Sequence, residues 1–247
     1  MASGIRAALS RLYSSVATSA KRRRLSPRVG AVDFGDLRRT TPISHVFGFD
    51  RGVPVDRYYI EQFLQANASL VRGSVLEVGD RTYTTRFGGQ AVQHSDVLHL
   101  TGESPEATIV ADLTNAPGIA SERFDCIILT QTLHFTYDMP AEVSELHRIL
   151  KPGGSVLCTV PGISQISRFD MDRWGDFWRL TSRAARDLFG TVFADENIEV
   201  VTYGNVLSAV GLLHGLAVSE LTAEELDAHD DDYQVIVAIR ATRAAAS

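Results

Sequence analysis

The sequence predicts an α/β protein, a mostly parallel sheet of about seven strands with helices on both faces. Three observations carry that expectation. Short apolar runs recur along the chain, each ends in a glycine or a polar turn, and helical or loop material separates them. Several runs are apolar on consecutive residues rather than alternate ones, as strands buried on both faces are.

The elements follow in order. Val55, Tyr58, Tyr59, Phe63 and Leu64 fall at helical spacing after Pro54, predicting a helix that ends near Gly73. Ser74 to Gly79 is a short apolar run stopped by glycine, hence a first strand, and the polar stretch to Gly88-Gly89 reads as loop. Further strands are expected at Asp96 to Leu100, Thr108 to Ala111, Phe124 to Leu129 and Ser155 to Val160. Between the last two, Val143, Leu146, Ile149 and Leu150 share one face of a helix over Pro140 to Leu150. Thr181 or Ser182 caps a helix ending near Gly190. A strand at Ile198 to Tyr203, a helix from about Val206 to Ala217, an acidic loop and a last buried strand at Tyr233 to Ile239 complete the pattern.

Composition bounds the function. The 247 residues are 45% hydrophobic and 22% charged, enough for a core without staples, and no apolar run approaches the roughly 18 to 20 residues of a membrane span. Cys126 and Cys158 sit inside apolar runs without CxxC spacing and read as reduced core thiols, and a cytoplasmic location is expected. The seven histidines show no HExxH or similar spacing, so no metal is expected. No GxGxxG or GxxxxGK[ST] occurs, which leaves dinucleotide enzymes and P-loop nucleotidases without support.

Charge divides the chain. Residues 1–40 carry nine basic and two acidic side chains, +7 in a chain of net charge −6, which leaves −13 for the remainder. We expect residues 1–40 to be a basic, flexible segment and 41–247 to be the folded domain. The head, with Ile5, Leu9, Leu12 and Val16 at helical intervals and Arg6 and Arg11 among them, has the composition of a transit peptide or a surface-binding amphipathic helix; a poorly ordered tail is the simpler reading. Nucleic acid is not an expected partner, since an acidic body repels phosphate and no aromatic platform lies near Lys21 to Arg24.

In an open parallel sheet, ligands bind beyond the carboxyl ends of the strands. That directs attention to Gly79 to Arg81, His99 to Glu103, Asp112-Leu113, Thr130 to His134 and Pro161 to Trp178. The order of these features, with Glu77-Val78-Gly79, Ala111-Asp112-Leu113, FDCIILTQTLHF and RILKPGG, resembles class I S-adenosylmethionine-dependent methyltransferases of the type 11-like kind, over about residues 55 to 240. The FDCIILTQTLHF and RILKPGG pairing is the most specific part.

The resemblance implies a Rossmann-like sheet whose last strand is antiparallel, S-adenosylmethionine as cofactor, and methyl transfer to an oxygen, less readily a nitrogen, of a small molecule or glycan. Carried over residue by residue, it places Glu77, Gly79 and Asp80 at the methionine and ribose side and His99 near a ribose oxygen. Asp112 and Leu113 fall at the adenine, Thr130 and Gln131 near the reactive end, and His134 becomes the candidate general base. Trp174, Trp178 and Arg179, in an aromatic stretch after strand five, become candidates for the acceptor pocket.

Two departures stand out. Arg81 and Tyr83 occupy the second and third glycine positions of the family's turn, and no acidic residue ends strand two. They keep open a methyltransferase-fold protein that binds or scaffolds without methylating. A third reading is a metal-dependent glycosyltransferase using Asp170 and Asp172 of Asp170-Met171-Asp172. The sequence carries no reading of oligomeric state.

Overall fold

A computed structural model of the chain describes residues 26–245. The basic residues and the amphipathic pattern expected before residue 26 lie outside them. The chain divides into two compact units, one up to Thr41 and one from Pro42 onward. Among the described residues of the first, a 3-10 turn spans Gly35–Leu37; Asp33 Oδ1 accepts the Gly35 N–H at 2.9 Å, and the Arg38 guanidinium lies 5.3 Å from the Phe34 ring centroid.

The second unit is built on one seven-stranded sheet: β1 Gly73–Val78, β2 Val92–His99, β3 Ile109–Val110, β4 Phe124–Thr130, β5 Leu150–Pro161, β6 Ile198–Tyr203 and β7 Ile236–Thr242. Their order is β3-β2-β1-β4-β5-β7-β6. The pairs from β3 through β5 are parallel, and β7 is antiparallel to both β5 and β6. The order reverses direction between β1 and β4, where a crevice opens beyond the strand ends.

Helices cover both faces: α1 Val55–Ala66, α2 Met139–Ile149, the single-turn α3 Arg168–Met171, α4 Ser182–Phe189, α5 Val206–His214 and α6 Ala223–Asp227. Alternate strand residues divide the core. Leu76, Ile127, Val156 and Ile239 pack with Val143, Leu146 and Ile149 of α2 and Phe189 of α4, while Val75, Ile128, Leu157 and Ala238 meet Ile60, Phe63 and Leu64 of α1. Consecutive apolar residues in one strand thus serve opposite faces.

Element bounds shift where polarity masks pairing. β2 begins four residues early because Val92, His94 and Ser95, unremarkable in sequence, still pair along β1, with Gln93 as the extra residue of a bulge. β7 starts three residues late, since Tyr233 belongs to a turn whose N–H is bonded to Asp230 O at 3.0 Å. α1 stops at Ala66 and a separate 3-10 turn, Ala68–Leu70, leads into β1.

The Lys151-Pro152-Gly153-Gly154 stretch, expected as a turn, is the start of β5 and lies at the amino end of the sheet, away from the crevice. There Lys151 Nζ is 2.7 Å from Asp125 Oδ2, which also accepts the Ser74 N–H at 2.8 Å, tying β1, β4 and β5 together. Gly154 is required by proximity: a Cβ there would stand 2.9 Å from Phe124 O. Among the described residues, no helix is long and apolar enough to cross a membrane.

Candidate functional site

A cleft of about 560 Å³ opens beyond the carboxyl ends of β1, β2 and β3 and is closed from the far side by the loop after β4 and by Asp170, Trp174 and Phe177. Gly79 sits at its inner edge. Its φ of 100° and the open space where a Cβ would be let a ligand approach the backbone. The Gly79 N–H is spent on Leu98 O at 3.0 Å, which fixes the end of β1 against β2.

The turn that follows is held by Glu77 instead of glycines. The buried Glu77 carboxylate accepts the N–H groups of Tyr83 and Thr84 at 3.1 and 2.7 Å, capping the π-helical turn Thr84–Gly88. Burial raises its pKa, and those bonds hold the shift back. Arg81 faces outward to Glu106, 3.3 Å away, and the buried Tyr83 receives the Arg57 guanidinium on its hydroxyl at 2.8 Å. Neither larger side chain of the altered turn lines the cleft.

His99 and Leu100 form the wall after β2. His99 Nδ1 is engaged by Thr101, 2.9 Å from its carbonyl and 3.2 Å from its N–H, leaving Nε2 as the ring's free polar atom. Asp112 Oδ1 accepts both the N–H and the hydroxyl of Thr114 at 2.8 Å, an Asx turn that fixes the carboxylate after β3 and leaves Oδ2 without a hydrogen bond.

Past β4, Gln131 adopts a positive φ of 51°. Its N–H bonds Thr159 O at 2.8 Å and its side chain reaches Thr159 Oγ1 at 3.3 Å, so it points toward β5. The loop then runs through the 3-10 turn Leu133–Phe135 to Asp138, which caps α2 by accepting the Ala141 N–H at 3.1 Å. The carbonyls of this loop anchor the aromatic stretch: His134 O accepts from Phe177 N at 3.1 Å and Trp178 N at 3.3 Å, and Thr136 O accepts from Trp178 Nε1 at 3.1 Å.

Of the residues read from sequence, Gly79, His99, Asp112, Leu113 and Trp174 come together in the cleft lining. Glu77, Asp80, Thr130, Gln131, His134, Trp178 and Arg179 do not line it. Asp80 is occupied with the Thr82 N–H at 2.7 Å. Arg179 is consumed within its own loop, bonded to Asp176, Gln165 O and Trp178 O, and Trp178 packs against the core.

His134, expected as a general base, stands apart from the cleft lining. Its side chain is 4% exposed behind the cleft wall, its Nδ1 has no partner, and burial depresses its pKa to about 3, against the pull of Asp176 and with the push of Arg179. A ring that does not line the cleft is poorly placed to take a proton from a ligand there. The Asp170 and Asp172 pair is also divided. Asp170 lines the cleft, whereas Asp172 pairs with Arg168 on the solvent side, 2.6 Å away, and no three metal-ligating side chains converge among the described residues.

Sequence reading missed Glu142. It projects from the first turn of α2 into the cleft lining, is 1% exposed, and has an Oε2 without any partner. Burial pushes its pKa up to about 7, with Asp112 adding to the rise and the Thr136 hydroxyl opposing it. The signal was available, because residues 142, 146 and 149 share the helix face on which Leu146 and Ile149 are core. A carboxylate on that stripe is an anomaly to explain.

A family model described as "Methyltransferase domain" matches residues 89–158. No curated protein matches the sequence. Among solved structures, a Thermotoga maritima S-adenosylmethionine-dependent methyltransferase, described as a possible histamine N-methyltransferase, is 17% identical with a TM-score of 0.52, covering 81% of this chain and 99% of that one. YcgJ from Bacillus subtilis (14%, TM-score 0.50) covers 76% and 100%. The N-methyltransferase NodS from Bradyrhizobium japonicum, solved with S-adenosylhomocysteine (14%, TM-score 0.50), covers 84% and 94%. At these identities the likeness establishes the fold, which is the Rossmann-like fold of class I methyltransferases.

Proposed function

We infer that this chain, which has the class I methyltransferase fold, is an S-adenosylmethionine-dependent methyltransferase acting on an uncharged or cationic small molecule. The observation that carries the reading is the cleft itself: Gly79 open to a ligand, Asp112 fixed with a free oxygen, and the buried Glu142 carboxyl with an unmade bond, all beyond the strand ends. These residues fit the cofactor. It carries no phosphate, so its site needs room and hydrogen-bond acceptors more than a nest of amides.

When bound, S-adenosylmethionine supplies a methyl group already activated by its sulfonium. The chain's task is then to align the acceptor and exclude water. Asp112 suits the exocyclic amine of adenine, a donor that needs an acceptor. The stretch Trp174 to Trp178, stitched to the loop after β4 through His134 O and Thr136 O, forms a wall over the acceptor end.

The lining holds three aspartates (Asp112, Asp138 and Asp170) beside Glu142 and neither lysine nor arginine, a field that disfavours anionic acceptors. Trp174, Phe177 and the largely exposed Tyr137 at its rim offer flat faces to a sugar ring or another planar acceptor. For the hydroxyl acceptor anticipated from sequence, His99 is the imidazole that reaches the cleft and takes the place assigned to His134 as base. A second reading, an amine acceptor, is favoured by the same carboxylates beside aromatic rings, an arrangement that attracts ammonium groups.

Calorimetric titration with S-adenosylmethionine and S-adenosylhomocysteine tests the reading. Micromolar binding, weakened by Asp112→Ala, is expected, and polyols and amines then separate the two acceptor classes. Absence of binding by either compound would leave the non-methylating alternative in possession.

A further inference from the structure

We propose that the Glu142 carboxyl is a hydrogen-bonding group for the purine edge of the cofactor, working beside Asp112. The inference rests on the functional reading above and deepens it at one residue. Its starting point is an unmade bond. Glu142 lines the cleft, is 1% exposed and leaves Oε2 unpartnered, at a position where Leu146 and Ile149 on the same helix face are wholly buried. Such an orphan costs stability in the free protein, and a ligand that completes the bond recovers it.

The location selects the ligand part. Glu142 lies close enough to Asp112 for that carboxylate to raise its pKa, and Asp112, Leu113 and Thr114 share its stretch of lining. Adenine presents a donor, the exocyclic amine, next to ring-nitrogen acceptors. A carboxylate has only acceptors and would face a ring-nitrogen lone pair with another lone pair. A carboxylic acid has one donor and one acceptor side by side and matches the edge.

Burial and Asp112 favour that protonated form up to about pH 7. The titratable groups around Glu142 come from every neighbouring element: Asp112 after β3, Asp138 at the cap of α2, the buried Cys158 thiol of β5, whose own pKa is raised by burial and by Glu142, and His99 across the cleft. Affinity for adenosyl ligands therefore falls as pH rises through the Glu142 transition.

The test is calorimetric titration of the full chain with S-adenosylhomocysteine at pH 6 and pH 8.5, for the native protein, Glu142→Gln and Glu142→Leu. Gln carries a fixed donor and acceptor, so its pH dependence reports every titrating group except residue 142. The native protein should lose affinity relative to Glu142→Gln between the two pH values, by on the order of thirtyfold at the limit. Glu142→Leu should bind about tenfold more weakly at pH 6. Parallel pH profiles for the native protein and Glu142→Gln would overturn the proposal even if Glu142→Leu failed to fold. A native protein that bound at neither pH would overturn the cofactor reading as well, whereas binding with unaltered variants would overturn only the role of Glu142.

Discussion

Glu77 Oε2 accepts the Thr84 N–H at 2.7 Å, and Glu77 Oε1 accepts the neighbouring Tyr83 N–H at 3.1 Å. One buried carboxylate thereby does at the end of β1 what a run of glycine amides would otherwise do, setting the direction of the chain after Gly79. We predict that Glu77→Gln destabilises the protein by about 1 to 3 kcal/mol, because its NH2 group would oppose one of the two buried N–H donors. Chemical denaturation reads the loss; an unchanged midpoint would mean that the turn stands without the cap.

Beneath the aromatic wall, Arg179 Nη2 lies 2.9 Å from Asp176 Oδ2, and that oxygen also accepts the Ser167 N–H at 3.0 Å. The Asp176 side chain is 1% exposed, so Arg179→Ala would strand a buried charge and cost about 3 kcal/mol. Burial alone would raise the Asp176 pKa, but the bonds from Arg179 and Ser167 bring it below its ordinary value. A depressed carboxylate stabilises above its unfolded pKa and loses that contribution as pH falls through its folded pKa. Arg179→Ala should consequently unfold at higher pH than the native protein on acid titration, with hydrogen exchange accelerated over residues 164–180. Equal acid midpoints would exclude this pair as the brace of the wall.

These two sites show what sequence could and could not convey. The sheet was legible because burial on both faces writes itself as consecutive apolar residues, and the crevice followed from strand ends. Gly79, His99 and Asp112 come to the cleft because each lies at, or within two residues of, the carboxyl end of a strand. Gln131, expected there too, does not line the cleft, since its positive φ turns the side chain back to Thr159, a loop property that no periodicity records. Arg179 looked like a binding cation and is spent on Asp176 and two carbonyls. Glu142 was hidden by the opposite error, as a carboxylate on a helix is ordinarily solvated.

His134 holds the wall through its carbonyl, which any residue supplies, while its ring is buried with an unpartnered Nδ1. His134→Leu should therefore be no less stable than the native protein near pH 7.5, within about 1 kcal/mol. Burial lowers the ring's pKa to about 3. The unfolded chain thus binds a proton that the native state excludes, and native stability falls as pH drops below about 6.5. The variant should lack that decline in thermal melts between pH 7 and pH 5, and it should also leave turnover intact. A large loss of turnover with normal cofactor affinity would restore the ring as a base.

Glu142 titrates in the opposite sense. Burial raises its pKa from 4.5 to about 7, so between those values the native state keeps a proton that the unfolded chain has released. Stability accordingly falls as pH rises through that window, by about 3 kcal/mol in all, and the deficit persists at pH 8. Glu142→Gln should remove the slope and melt higher than the native protein at pH 8 without ligand. The windows of His134 and Glu142 overlap between about pH 4.5 and 6.5 with contrary signs. The native melting profile alone can then look flat while both groups titrate, and each single variant should tilt it in a different direction. Parallel profiles for Glu142→Gln and the native protein would mean that this carboxyl is hydrated or paired in solution, and that the orphaned Oε2 is not a charge the fold resists.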